Sequence, residues 1–101
     1  MTRKTTVYRR KLTASEAKEK FILITKDRWD FFPSPGQAFD LRCGTEVFRV
    51  AVKAIPCQCV GAPHEHYHLP LEELSPLLEF APGNQFVVRR EDTGQYIIAP
   101  A

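Results

Sequence analysis

Between Cys57 and Pro70 the chain reads CQCVGAPHEHYHLP, and here its chemically active side chains are densest. His64, His66 and His68 alternate with other residues, so on an extended strand all three imidazoles share one face, with Cys57 and Cys59 shortly before them. Zinc accepts these ligand types, and three histidines with an open fourth position suit a catalytic metal, zinc or iron. Against this, alternate residues of one straight strand do not readily surround an ion. The plain alternative makes one or two of the histidines hydrogen-bonded residues at the rim of a barrel and the cysteines small buried apolar groups. Elsewhere no serine or cysteine stands in a nucleophile motif and no glycine-rich phosphate loop occurs. Glu65 and Glu72 would serve as acids or bases only within a pocket.

A second set of residues suits a polyanion. Arg3, Lys4, Arg9, Arg10 and Lys11 place five positive charges and no acid in residues 1–11, while Glu72, Glu73 and Glu79 make a later stretch acidic. The net charge of +2 says little, but its polarisation along the chain is informative. The bland reading of the basic segment is a solvated N-terminus. Trp29, beside Arg28, can stack on a base if exposed, although an aromatic within WDFF is more often core.

These residues have to be positioned by a small fold. A chain of 101 residues, 44% apolar, is the size of one domain, 1–101, with enough apolar surface for one core. Three cysteines are too few and too odd for a disulfide framework. No run of eighteen apolar residues occurs, and MTRKTTVYRRKL lacks the apolar stretch of a secretory signal, so the expected location is cytoplasmic, without membrane association.

An approximate internal repeat organises the chain. The first copy covers 21–42 and the second 67–90; Pro35-Gly36 matches Pro82-Gly83, Phe39 matches Phe86, Leu41 matches Val88, Arg42 matches Arg89, and Ile24 matches Leu69. Each copy reads as a strand, a helical turn, a type II Pro-Gly turn and a second strand. Leu71, Leu74, Leu77 and Leu78 follow helical spacing and predict one or two short helices between Pro70 and Glu79. Further strands are predicted over Val7–Leu12, as one run over Thr45–Ile55, and at QYIIA. Residues Ala14–Lys20 predict a short exposed helix, with Thr13 as N-cap and Glu16 completing a capping box. The expectation is a mainly β fold with short helices, a six- or seven-stranded open barrel built from two similar halves.

The second copy, LPLEELSPLLEFAPGNQFVVRREDTGQYIIAP, resembles the swapped-hairpin pattern of AbrB-type DNA-binding proteins, with Leu69-Pro70 and Pro82-Gly83-Asn84 in the places of its Pro step and its turn. Asn84 stands where that pattern usually has aspartate, and Thr25 where it often has proline. Two such halves in one chain resemble the DNA-binding pseudobarrel superfamily, which includes plant transcription-factor domains and effector domains of some restriction endonucleases. The resemblance spans roughly residues 21–100 and implies loops and strand ends that enter the major groove. It would require basic side chains on one open side, for which Arg9, Arg10, Lys11, Lys26, Arg28, Arg42, Arg49, Lys53, Arg89 and Arg90 are the candidates. HEHYHLPLE is also similar in part to the cupin pattern through His66, His68 and Glu72, but no second histidine motif follows.

Three functions therefore stand side by side. The first is a non-enzymatic nucleic-acid-binding module, for double-stranded DNA above all, acting as a homodimer or beside a separately encoded protein. The second is a metal-binding domain using His64, His66 and His68. The third is a protein interaction domain whose open strand edge receives a peptide.

Overall fold

The structure, a computed structural model, describes residues 7–57 and 64–101, with the backbone alone at Cys57 and His64. Strands β1 (Val7–Lys11), β2 (Phe21–Ile24), β3 (Phe39–Cys43), β4 (Glu46–Val50), β5 (Lys53–Cys57), β6 (His64–Pro70), β7 (Gln85–Arg90) and β8 (Tyr96–Pro100) are joined by helix α1 (Ala14–Glu19) and by 3-10 helices at Lys26–Phe31 and Glu72–Leu74. The described residues thus form eight strands where six or seven were expected.

They form two sheets, one of five strands in the order β1-β7-β8-β3-β4 and one of three in the order β2-β6-β5. All neighbours are antiparallel except β3 and β8. Period-two alternation places one face of each sheet inside. Tyr8, Phe39, Leu41, Phe86, Val88, Tyr96 and Ile98 come from the larger sheet, Ile22, Ile24 and Leu69 from the smaller, and all belong to one buried cluster. The result is the open pseudobarrel that the alternation and the turns predict.

The two Pro-Gly turns have the same geometry. Gln37 N–H donates to the Ser34 carbonyl at 3.0 Å and Asn84 N–H to the Ala81 carbonyl at 3.1 Å, with φ of +85° at Gly36 and +89° at Gly83. Each glycine N–H then donates at 2.9 Å to a residue that follows a strand, Gly36 to Val52 after β4 and Gly83 to Leu12 after β1. These matched bonds extend the repeat beyond the limits read from sequence, because β4 pairs with β3 as β1 pairs with β7. The halves meet in the antiparallel β2–β6 pair, while β8 lies outside the repeat.

Three local expectations are corrected or narrowed. The run Thr45–Ile55 is not one strand: it breaks at Ala51 and Val52, where buried Val52 turns the chain from the larger sheet into the smaller. One of the short helices expected after Pro70 is present, as a 3-10 helix at Glu72–Leu74, and turns follow it where a longer helical run could have continued. Pro76 lacks the N–H that an α-helix would need there, and Leu71, Leu74 and Leu78 still reach the core while Leu77 is left 46% exposed. Helix α1 has the predicted capping box, but it is not simply exposed, since Glu16 and Ala17 are buried.

At both turn glycines an added Cβ would meet nothing within 4 Å, so the cost of substitution is conformational alone. Gly36→Val and Gly83→Val are each expected to destabilise the fold by about 1–2 kcal/mol, as read by urea denaturation. Unchanged midpoints for both would remove the positive-φ requirement.

Candidate nucleic-acid interface

The basic residues divide by strand parity. On β1 and β7 the positions that alternate with Tyr8 and Val88 face inward, so Arg10 and Arg90 are half-buried and engaged in internal contacts. Arg10 donates from Nε and Nη2 to the two carboxylate oxygens of Glu16, at 2.8 and 3.0 Å. Arg90 Nη1 donates to the Phe31 carbonyl at 3.0 Å, and its guanidinium lies 5.1 Å from the Phe31 ring centroid. Arg28, at the end of β2's following turn, donates to the Val7 carbonyl at 2.7 Å and lies 5.3 Å from both the Tyr8 and Phe31 rings. All three arginines brace the barrel.

The outward positions carry the rest. Arg9 and Lys11 on β1, Arg42 on β3, Arg49 on β4 and Arg89 on β7 share the outer face of the five-stranded sheet. Register places Arg89 and Arg42 on either side of Ile97, with Val7 beyond Arg89 and Val47 beyond Arg42. Two strand spacings separate the arginines, about 10 Å. Only Arg49 has a carboxylate partner among the described residues, Asp40 at 3.1 Å, and that pair is exposed enough to be weak. Lys26 is exposed where the first 3-10 helix begins, and Lys53 is exposed on β5, opposite His68 in the other sheet. Arg3 and Lys4 lie outside the described residues.

Trp29 is half-buried and not a free platform. Its ring stacks on Tyr67 with centroids 3.9 Å apart, and its Nε1–H donates to the Ile24 carbonyl at 3.3 Å.

His66 and His68 sit on the outer face of the smaller sheet. His66 and His68 line a depression of about 250 Å³ with Phe21, Leu23 and Ser15, and the His68 ring stacks on Phe21 at 4.1 Å. Burial, helped by the neighbouring His66, pushes the pKa of His68 below the ordinary imidazole value, against the opposing pull of Glu19 and Glu16. Glu72 lines a different groove, with Arg49 and Lys53, so the cupin-like trio does not converge. Among the described residues no group of three His, Cys, Asp or Glu side chains is placed to hold a metal ion. Cys59 and the side chains of Cys57 and His64 lie outside the described residues. Cys43 is a free, buried thiol whose pKa burial raises.

With this geometry in view, no protein-family model matches the chain, and no curated protein sequence does. Among solved structures, the chain in an Arabidopsis FUS3-DNA complex superposes with a TM-score of 0.75 at 13% identity, over 95% of this chain and 96% of that one. This chain shares that fold, an open pseudobarrel. The cytoplasmic location expected from sequence is withdrawn, since the fold is that of a chain seen in complex with DNA. Among the described residues no helix is long and apolar enough to cross a membrane.

Sequence reading overlooked what Glu16 does. Its side chain is buried, and besides Arg10 it accepts the Thr13 N–H at 2.9 Å and the Leu23 N–H at 2.7 Å. Burial alone would raise its pKa, but the hydrogen bonds from Arg10, Leu23 and Thr13 prevail and hold it below the ordinary carboxylate value. A depressed folded pKa stabilises the fold above the unfolded carboxylate pKa, and that stability is lost as pH falls through the folded value. Glu16→Gln is therefore expected to cost about 2–4 kcal/mol at neutral pH, by denaturant unfolding, and to flatten the acid limb of the stability–pH curve. An acid limb identical to that of the unsubstituted protein would show that Glu16 carries none of it.

Proposed function

We propose that the chain is a non-enzymatic module that binds duplex DNA, with its exposed cations on the phosphates. The observation that carries this reading is the match of nearly the whole chain to a fold seen on DNA, together with an outer sheet face bearing Arg9, Lys11, Arg42 and Arg89 with no carboxylate partner among the described residues. An arginine guanidinium grips a phosphate with two hydrogen bonds or reads a guanine edge, and sheet surfaces are among the elements that dock on duplexes. Arg10, Arg28 and Arg90 act indirectly in this reading, by fixing the strands that carry the exposed set. Lys26 and Lys53 supply cations from a loop and a strand end.

Four or five phosphate contacts predict that affinity for a random-sequence duplex falls roughly 100- to 500-fold between about 50 and 200 mM salt. The paired reversal Arg42→Glu with Arg89→Glu should weaken binding about ten-fold or more and lower the salt slope by about two. Fluorescence anisotropy measures both, and separate reversals of Lys26 and Lys53 read the contribution of the loops and strand ends. Absent or salt-insensitive binding at low salt would overturn the proposal.

A further inference from the structure

Sheet edges expose unpaired backbone groups, and folded proteins usually block them. Three of the four edges here are blocked in identifiable ways. At β1 the Val7 carbonyl accepts the Arg28 guanidinium at 2.7 Å. At β2 the Leu23 N–H is taken by Glu16, and the Tyr8 hydroxyl both donates to the Leu23 carbonyl at 2.7 Å and accepts the Thr25 N–H at 3.2 Å. At β5, Pro56 has no N–H, and a proline is tolerated in a paired strand where its nitrogen faces away from the neighbour.

At the fourth edge, β4, no outward backbone group is capped among the described residues, and only the exposed charges of Glu46 and Arg49 guard it. It ends the five-stranded sheet and contains no proline. The two-residue turn Gly44-Thr45, with φ of +63° at Gly44, closes the β3–β4 hairpin on the pair Cys43–Glu46. Hydrogen-bonded pairs then alternate, so Leu41–Phe48 faces across the hairpin while the N–H and C=O of Val47 and Arg49 point away from β3. Val47 is also 54% exposed, the highest value among the large hydrophobic residues.

We propose that β4 pairs antiparallel with β4 of a second copy of this chain, centred on Val47. The second copy is the favoured occupant because its own β4 is open for the same reason, and a two-fold contact satisfies both edges at once. In this register Val47 opposes Val47 and Glu46 opposes Phe48, while Arg49 lies across from the Gly44-Thr45 turn, so no like charges face each other. A two-fold axis perpendicular to the sheet keeps the arginine-bearing faces of both copies on the same side. The pairing stands independently of nucleic-acid binding, and its test contains none.

Sedimentation equilibrium of the full chain should show a monomer–dimer equilibrium, and amide exchange at Val47 and Arg49 should slow about ten-fold or more as concentration rises through it. Val47→Lys places a charge on the edge at an exposed position, so it should give a monomer with an unchanged thermal transition. A wild-type chain that stays monomeric up to about 1 mM overturns the proposal, and this includes the case in which the edge is kept for a peptide. A dimer that forms without protecting these two amides also overturns it, whether or not Val47→Lys folds.

Discussion

The Glu16 carboxylate ties together three separate pieces of chain. Its two oxygens accept two hydrogen bonds each, from Arg10 on β1, from the Thr13 N–H that starts α1, and from the Leu23 N–H on β2. Since β1 belongs to the larger sheet and β2 to the smaller, this one group fixes how the sheets meet at that corner. Burying a carboxylate costs several kcal/mol, and four charge-assisted bonds offset that cost only while all are made. The corner is consequently tight or broken, with little in between. Tyr8 repeats the arrangement one residue pair away, its hydroxyl bridging Leu23 and Thr25 from the facing sheet.

Around that corner the halves are alike in what they bury and different in how they are joined. The Gly36–Val52 and Gly83–Leu12 bonds hold equivalent turns against equivalent strands, yet the first half links its strands through α1 and the second through β5. Only the first half therefore has a helix to supply a carboxylate. In the second, β5 instead widens the sheet and carries Lys53 opposite His68. Near-symmetry in the core thus coexists with two dissimilar outer faces, one rich in arginine and the other in histidine and aromatic side chains.

Much of this was legible in the residues, and the failures have physical causes. Alternation in QFVVRR and AFDLR matches the buried faces, with Phe86 and Val88 inward on one strand and Phe39 and Leu41 on the other, because period two leaves no choice once one side is apolar. The Pro-Gly steps announced both turns, and Thr13 with Glu16 announced the cap of α1. The leucines after Pro70 announced a short helix but not its type or extent, because helical spacing is also met by a 3-10 turn followed by tight turns that bring Leu71, Leu74 and Leu78 inward. Within the basic set, sequence alone did not separate Arg89, which is exposed, from Arg90, which is bound to Phe31, although strand parity does so once one neighbour is placed. The role of Glu16 was hidden because its partners Arg10 and Leu23 come from two different strands, whose convergence only the tertiary fold supplies.

Strand β8 lies between β7 and β3, and its pairing with β3 is the one parallel contact in the sheet. Without it, β1–β7 and β3–β4 are two unconnected ribbons, and a lone two-stranded ribbon is only marginally stable in water. The larger sheet is therefore completed by the strand that follows all its others in sequence. Until β8 docks, the β1–β7 and β3–β4 pairs leave inward apolar positions such as Val88 and Leu41 without one of their neighbours. Assembly of the larger sheet is then a closing event in place of a steady accumulation of structure.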